Sequence, residues 1–398
     1  MKRAGSLRPL AVVVLAWAGA SAVLAAGGWA TRNYRDFDFF PMWLAGRGVL
    51  QGTDIYDPTV WLGLFLQEGS EGYALLPGTG FGYAMPAAIL MVPFGLFPLS
   101  VAAALWAVTV IALAATGLWA LSRVLFRTFG RRDLVALAGL TAASQPIWVT
   151  LFTGQPGGIL LGIVAHATAL LIVGRHLAAG VVLGLLILKP HLFLWAIPVL
   201  LIASPSRARL LRGMLLSGGS ILIASFLVRP DWPAAWLRTA GRLQGLNVSR
   251  ANAWGLAPDE ARWLGWAVLT LVVAAFALWW RARPPVHVIW AGAVALSLFG
   301  APYSWSYDQG ILAVPAAVII AAVAARPPAL RVPVLAALAA GWVVLPWLLY
   351  LDAHRTGAEP AAAVVPVAVL TLLIGAYPGA RSSSRREDGS ASLLRAGR

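Results

Sequence analysis

The chain has 398 residues, of which 60% are apolar and only 11% are charged, and its formal net charge is +15. Soluble domains carry about 25% charged residues, so this composition excludes a soluble enzyme and indicates an integral membrane protein. The basic residues are scattered in short loops between apolar runs instead of forming one patch, which argues against nucleic-acid binding. The sequence contains no cysteine, which excludes disulfides, thiol ligands and thiol nucleophiles.

Apolar stretches long enough to cross a bilayer recur along almost the whole chain, and a spanning helix needs about 20 apolar residues. We therefore expect an all-α polytopic bundle of about 12 transmembrane helices, formed by one domain over residues 1–378. A basic, disordered cytoplasmic tail is expected over 379–398. The predicted spans are 10–30, 98–122, 133–152, 156–174, 176–188, 190–204, 209–228, 262–280, 286–300, 308–325, 332–350 and 361–378.

The first predicted span, 10–30, follows a basic segment, as the apolar part of a signal peptide does. It is too long for that part and more membrane follows, so we expect a retained anchor. Lys and Arg concentrate in short cytoplasmic loops, and most of the 30 basic residues do so when both termini are cytoplasmic. The distribution of Lys and Arg therefore predicts the orientation of the bundle in the membrane, with both termini in the cytoplasm.

Two regions do not fit simple crossings. The segment 83–98 carries three prolines, and we interpret it as an interfacial or re-entrant piece, because a full span here would place "RVLFRTFGRR" on the outer face. The spans 176–188 and 190–204 are short, and we interpret them as half-helices broken at "KPH", 189–191.

Four polar stretches fall on the same outer face in this topology. They are the opening loop, 31–83, the "TGQPGG" of 153–158, the "KPH" of 189–191 and the "APYSWSYDQG" of 301–310. A long loop, 229–262, joins them. We therefore expect an extracytoplasmic site where these stretches meet, next to a first loop that carries short interfacial helices.

Two acids, Asp36 and Asp38, follow the first predicted span. One interpretation is an aspartate that caps the short amphipathic helix predicted by "FPMWLAGRGVL". The other is a general base at the membrane surface, because proton abstraction needs an acceptor within hydrogen-bond reach of the attacking hydroxyl. The residues alone leave both interpretations open.

Lys189 is one of only two lysines and is flanked by apolar runs. Charged side chains within spanning segments are costly and tend to mark substrate or ion pathways. A lysine that extends to the interface from a helix end is the alternative. Pro190 frees backbone groups and His191 adds a polar head, so this segment favours an anion site suited to a phosphate.

Gln155 and Asp308 lie in polar connections between predicted spans. Each is explained equally by a loop or turn and by a polar group of a site. The arginines and tryptophans of the loop 229–262 predict either an interfacial belt or a surface for an anionic lipid head. The sequence shows no metal-ligand spacing, no phosphate-binding glycine loop and no Ser/His/Asp arrangement, so we predict neither a metal nor a cofactor.

The opening segment combines an Asp-aromatic pair, Pro-x-Trp, Ala-Gly-Arg, an apolar pair, Gly and Tyr-Asp, in this order. The residues that carry this pattern are Asp38, Phe39, Pro41, Trp43, Ala45, Gly46, Arg47, Val49, Leu50, Gly52, Tyr56 and Asp57. Later features follow in the order Tyr83, Pro86 and Pro93, then 154–155, then 189–191, then 302–308. The pattern resembles the first outer loop of glycosyltransferase family 87, and the later features agree with it.

This family comprises polytopic enzymes of the GT-C superfamily that resemble polyprenyl-phosphate-mannose-dependent mannosyltransferases. The resemblance implies a GT-C fold, an extracytoplasmic active site and an acid of the first loop as base. Asp38 takes that place, with Asp36 as its rival. Where the family often has an acid or a histidine, this chain has Ser306, Tyr307 and Asp308, which leaves the role of Asp308 open.

We therefore predict an inverting, metal-independent hexosyltransferase of a bacterial cytoplasmic membrane. It would move a sugar, mannose by the resemblance, from a polyprenyl-phosphate donor to a hydroxyl of a lipid or glycan acceptor at the outer leaflet, in contact with membrane lipids. The general base is Asp38, and bound cations stabilise the departing phosphate. The predicted donor site consists of Lys189, His191, Arg47, Gln155, Tyr307 and Asp308.

A transporter or lipid flippase is the competing class, since it also has many spans, buried ions and broken helices. Two observations argue against it: the sequence shows no inverted repeat, and the acids cluster in an outer loop instead of near the midplane. A third interpretation is an inactive scaffold in envelope assembly, in which Lys189 has no function.

Overall fold

The computed structural model of the chain describes residues 38–69, 79–125, 131–246, 251–256, 259–324 and 326–377. These residues form α-helices, 3-10 helices and π turns, and no strand is found among them. The predicted first span, 10–30, the rival base Asp36 and the predicted tail, 379–398, lie outside the described residues.

The α-helices of the described part are numbered in chain order. The helices before the "KPH" sequence are α1 (Phe39–Leu50), α2 (Pro58–Gln67), α3 (Met85–Gly95), α4 (Leu99–Leu125), α5 (Arg131–Ala143), α6 (Gln145–Thr153), α7 (Gly157–Ile172) and α8 (His176–Gly184). Those after it are α9 (Ala196–Ala203), α10 (Arg207–Met214), α11 (Ser220–Val228), α12 (Trp232–Leu246), α13 (Arg262–Trp280), α14 (Val286–Phe299), α15 (Ala313–Ala324), α16 (Pro328–Ala339), α17 (Leu345–Thr356) and α18 (Val364–Ala376).

Five helical segments within the described residues are long and apolar enough to cross a membrane. They are Leu99–Leu125, Arg207–Val228, Trp263–Trp280, Ser306–Ala324 and Pro328–Thr356. Three of them are composite. The π turns at Leu215–Gly219 and Ala340–Val344 each join two α-helices, and Ser306–Ala324 consists of a 3-10 helix followed by α15. The all-helical class agrees with a polytopic membrane protein, whereas the predicted count of about 12 spans is not confirmed.

Other apolar helices among the described residues are shorter than these five segments. Met85–Gly95, Gly157–Ile172, His176–Leu188, Val286–Phe299 and Pro360–Ala376 have 10 to 17 residues. In α14 every residue from Val288 to Phe299 is buried, so this helix is surrounded by protein. A helix buried in protein does not have to match the thickness of the bilayer, and apolar composition alone does not separate it from a lipid-facing span.

One predicted span is divided in the structure. The segment 133–152 forms α5 and α6, which are separated at Ser144. Pro146 lies in the first turn of α6, where proline is tolerated because the amide hydrogen that it lacks would have no partner there. The proline therefore starts a new helix instead of interrupting a continuous one.

Glycines bring the helices that carry the site into close contact. A Cβ added to Gly162 of α7 would lie 2.4 Å from the carbonyl oxygen of Leu113 of α4. One added to Gly180 of α8 would lie 2.0 Å from the carbonyl oxygen of Leu210 of α10. Small residues allow such approach in membrane bundles, and these contacts fix α7, which begins two residues after Gln155, and α8, which a 3-10 turn connects to Lys189.

The first loop packs against the segment that begins at Tyr83. The indole nitrogen of Trp43 in α1 donates to the carbonyl oxygen of Phe97 at 3.0 Å, and the phenol of Tyr56 donates to the carbonyl oxygen of Tyr83 at 2.8 Å. Helices α1 and α2 therefore do not extend away from the bundle. They hold the start of α1 beside the polar stretches of later helices.

Candidate functional site

The break predicted at "KPH" is present and places Lys189 inside the protein. Two 3-10 turns, Leu185–Leu188 and Pro190–Phe193, flank Lys189, whose backbone has φ −140° and ψ 69°. A residue before proline is pushed out of the helical region because the proline ring clashes with it. Lys189 therefore leaves the helix axis, and its side chain is 3% exposed.

Lys189 is the centre of a buried polar cluster. Its ammonium nitrogen Nζ donates to Asp308 Oδ1 at 2.9 Å and to Gln155 Oε1 at 3.0 Å. The same nitrogen lies 5.1 Å from the ring centre of Tyr307 and 5.6 Å from that of Tyr83. An ammonium in a dry site needs such an opposite charge and polar partners, because burying it alone is costly.

Gln155 reaches the cluster through a turn at Gly154. This glycine ends α6 with φ 73°, a left-handed conformation that favours glycine because it lacks a Cβ. The turn directs Gln155 inward, where its Oε1 also accepts a hydrogen bond from the Tyr83 phenol at 3.2 Å. One amide oxygen thus joins the stretch 153–158 to the "KPH" break and to the start of α3.

Asp308 is held by both of its carboxylate oxygens. Its Oδ1 accepts a hydrogen bond from Lys189 Nζ, and its Oδ2 accepts one from the backbone nitrogen of Trp305 at 3.1 Å. The 3-10 helix Ser306–Leu312 that carries Asp308 is fixed in turn by Glu359, whose Oε2 accepts from the Ser306 nitrogen at 2.9 Å. Asp308 therefore forms the ion pair with Lys189 and also stabilises the turn that begins at Trp305.

Asp38 lies at the N-cap position of α1 and is half-buried. Its backbone is in the helical region, and its side chain makes no capping hydrogen bond. The capping interpretation is therefore not supported for Asp38. In contrast, Asp57 does cap α2, since its Oδ1 accepts from the backbone nitrogens of Thr59 and Val60 at 2.8 and 3.0 Å.

The start of α1 lies directly against the Gly154 turn. A Cβ on Gly154 would lie 2.6 Å from the Cβ of Phe39, the residue that follows Asp38. Burial raises the pKa of Tyr83, and the negative charges of Asp38 and Asp308 raise it further. The Tyr83 phenol therefore stays protonated, and Asp38 lies near enough to this tyrosine, which binds Gln155, for its charge to act on it.

His191 and Arg47 have different surroundings. The His191 ring packs edge-on against Tyr303 with ring centres 6.2 Å apart, and its buried Nε2 has no hydrogen-bond partner among the residues that the structure describes. Arg47 lies nine residues beyond Asp38 on α1, about 13 Å along the helix, where it pairs with Glu68 at 3.4 Å. The structure brings His191 to the cluster and leaves Arg47 outside it.

Three of the residues that build the site were not predicted from the sequence. Tyr83 was identified only as part of a motif, and Trp305 and Glu359 were not singled out. Two signals were available: an aromatic residue at every second position of "YSWSYD", and an acid between the last two predicted spans on the outer face. No group of three or more His, Asp or Glu side chains among the described residues could hold a metal ion.

A family model for glycosyltransferase family 87 matches residues 81–304, more than half of the chain. The chain belongs to glycosyltransferase family 87. The predicted resemblance is thus confirmed, and the protein is a membrane glycosyltransferase that uses a sugar donor, an acceptor and membrane lipids. The match contains Tyr83, Gln155, Lys189 and His191, and it ends before Asp308. No curated protein and no solved structure gives a significant match.

Proposed function

We propose that this family 87 enzyme transfers mannose from a polyprenyl-phosphate donor to a hydroxyl of a lipid or glycan, on the outer face of the cytoplasmic membrane. The observation that supports this most is the buried ion pair of Lys189 and Asp308, joined by Gln155 to Tyr83, with the start of α1 packed against the neighbouring Gly154. A lipid-linked donor suits such a site, because its tail can remain among apolar helices while its phosphate and sugar enter the polar region.

Asp38 is the proposed general base. Its carboxylate does not cap α1, and the next residue, Phe39, lies against Gly154 in the turn that precedes Gln155. The acceptor oxygen would attack the anomeric carbon as the bond from that carbon to the phosphate oxygen breaks. The hydroxyl proton would pass to Asp38, and the polyprenyl phosphate would leave with the bonding electrons. One displacement of this kind inverts the anomeric centre and needs neither a covalent intermediate nor a metal.

Lys189 and His191 are the proposed partners of the donor phosphate. An ammonium group has three N–H donors, and Gln155 and Asp308 occupy two of those of Lys189. The third can bind a phosphate oxygen, and the buried Nε2 of His191 can supply a further hydrogen bond. Donors held in place before the reaction stabilise the charge that develops on the leaving phosphate.

The test is transfer of radiolabelled mannose from polyprenyl-phosphate-mannose by membranes that contain the protein. We expect Asp38→Asn to lower the rate by about 100-fold to 10,000-fold, the usual contribution of a general base. Asp57→Asn is the matched control, since Asp57 caps α2. Asp36→Asn tests the rival base. If the Asp38 and Asp36 variants are well expressed and both keep wild-type activity, the assignment of the base is wrong.

A further inference from the structure

The segment 303–308, "YSWSYD", presents its side chains in two alternating sets. Tyr303, Trp305 and Tyr307 are partly exposed, whereas the serines between them and Asp308 are buried. Trp305 has the extended backbone angles φ −117° and ψ 166°, and the 3-10 helix that carries Tyr307 begins directly after it. The rings of Tyr303 and Trp305, and those of Trp305 and Tyr307, are in contact with each other, so the three rings share one side of this segment.

The buried set, which consists of the two serines and Asp308, is attached to three separate parts of the fold. Ser304 Oγ donates to the carbonyl oxygen of Ala251 at 3.1 Å, and the Ala251 nitrogen donates to the carbonyl oxygen of Ser304 at 2.9 Å. The nitrogen of Ser306 is bound by Glu359, and Asp308 is bound by Lys189. The backbone that carries the rings is thus fixed before any ligand arrives.

The partly exposed set, which consists of the three aromatic residues, forms a row of rings that ends at the ion pair of Lys189 and Asp308. The ring centres of Tyr303 and Trp305 are 6.1 Å apart and meet edge-on, and those of Trp305 and Tyr307 are 6.2 Å apart with planes inclined by 12°. The Trp305 indole nitrogen donates to the phenol oxygen of Tyr303. Tyr307 lies against Lys189, and Tyr303 at the other end lies against His191.

An interfacial belt does not account for this row. Belt tryptophans insert into the membrane surface, as expected for the 65% exposed Trp263 on α13. In contrast, the row is only partly exposed, adjoins a buried charge and is fixed from behind. Aromatic rings offer a large apolar face together with polar edges. A sugar ring is complementary to this surface, since it has C–H groups on its face and hydroxyls around its edge.

We propose that Tyr303, Trp305 and Tyr307 form a platform for the transferred sugar of the donor. This inference rests on the proposed function, because the phosphate beside Lys189 sets the position of the sugar. With the phosphate there, the attached ring lies next to Tyr307 and Trp305, the two rings with nearly parallel planes. The platform orients the sugar for attack and supplies the part of donor binding that depends on the sugar.

Binding of two lipids to the purified full chain tests the platform: polyprenyl phosphate, and the same lipid carrying mannose. The measured quantity is the dissociation constant of polyprenyl phosphate divided by that of the mannose-linked lipid. We expect Trp305→Leu to reduce this ratio by about fivefold to tenfold, as for the loss of an aromatic contact, and to leave binding of sugar-free polyprenyl phosphate unchanged. Trp305→Phe should keep most of the ratio, and Trp263→Leu should keep all of it.

The results of these binding measurements distinguish failure of the platform from failure of the proposed function. If wild type binds mannose-linked lipid more tightly than sugar-free lipid and Trp305→Leu keeps the ratio, the platform is wrong and the proposed donor stands. If Trp305→Leu raises the KM for the acceptor and leaves donor binding unchanged, the rings serve the acceptor and the proposal is overturned. If wild type binds neither lipid, the proposed function fails and the platform fails with it.

Discussion

Lys189 and Arg47 are both cations that the sequence assigns to the donor phosphate, and they have opposite surroundings in the structure. Lys189 pairs with Asp308 at 2.9 Å, and the two side chains are 3% and 1% exposed. Arg47 pairs with Glu68 at 3.4 Å, with side chains that are 37% and 29% exposed. The charge of a residue type therefore does not decide its role. The dielectric surroundings and the attachments of the partner decide it.

The largest expected effect is on the buried pair. Lys189→Met leaves Asp308 charged and unpaired inside the protein, and removing one partner of a buried pair costs about 3–5 kcal/mol. The measurement is thermal unfolding of the purified protein, together with mannose transfer, which we expect to be lost.

The double variant Lys189→Met/Asp308→Asn is the control for this prediction. It removes both charges, so most of the lost stability should return, while transfer stays absent. A single variant as stable as wild type would contradict the view that Asp308 depends on Lys189.

The next effect concerns the contact between Gly154 and Phe39, which are the chain neighbours of Gln155 and Asp38. Gly154→Ala introduces a Cβ at φ 73° and 2.6 Å from the Phe39 Cβ. A left-handed residue other than glycine costs about 1–3 kcal/mol, and the clash with α1 adds to it. Thermal unfolding and the transfer rate should both fall.

Gly174→Ala is the matched control for Gly154→Ala. Gly174 has φ 74° and no atom within 4 Å of an added Cβ, so only the backbone strain is common to the two variants. Equal losses of stability in the two variants, with equal activity, would show that the contact between Phe39 and Gly154 does not position Asp38.

A smaller, pH-dependent effect concerns Glu359, which holds the turn of Asp308. Burial raises the pKa of Glu359 above its ordinary 4.5, the hydrogen bonds from Ser306 lower it, and the nearby charges of Asp308 and His354 act in opposite directions. A raised carboxyl pKa means that the folded state favours the protonated form. The associated stability is complete below pH 4.5 and is lost as the pH rises through the folded-state pKa.

Comparison with Glu359→Gln isolates this titration from other carboxylates. The melting temperature of wild type should match that of the glutamine variant at low pH and fall below it as the pH rises above 4.5. A wild type that instead gains stability over the variant with rising pH would mean that the charged hydrogen bond to Ser306 outweighs the cost of burial.

The smallest effect is expected at the partly exposed pair of Arg47 and Glu68. Arg47→Met should change stability by less than about 1 kcal/mol, the usual limit for an ion pair that water reaches, and added salt should reduce even that difference. Mannose transfer should remain close to wild type. A large loss of transfer with unchanged melting temperature would instead assign Arg47 to the donor site.

The sequence was informative about helices and about breaks. Predicted spans at 98–122, 209–228 and 262–280 correspond to helical segments at Leu99–Leu125, Arg207–Val228 and Arg262–Trp280, because apolar runs and their flanking arginines are local signals. The break at Lys189 was also predictable, since a proline acts on the residue before it. Separation of lipid-facing spans from buried short helices was not predictable, because both are apolar.

The sequence by itself determined a helical membrane protein of glycosyltransferase family 87 and the set of polar residues that a site could use. Only the tertiary structure decided that Lys189 pairs with Asp308 and Gln155, which are 119 and 34 positions away, and that Glu359 fixes the turn that carries Asp308. The physical reason is the range of the interactions. Helix formation depends on neighbouring residues, whereas a buried charge is tolerated only where distant segments bring it an opposite charge.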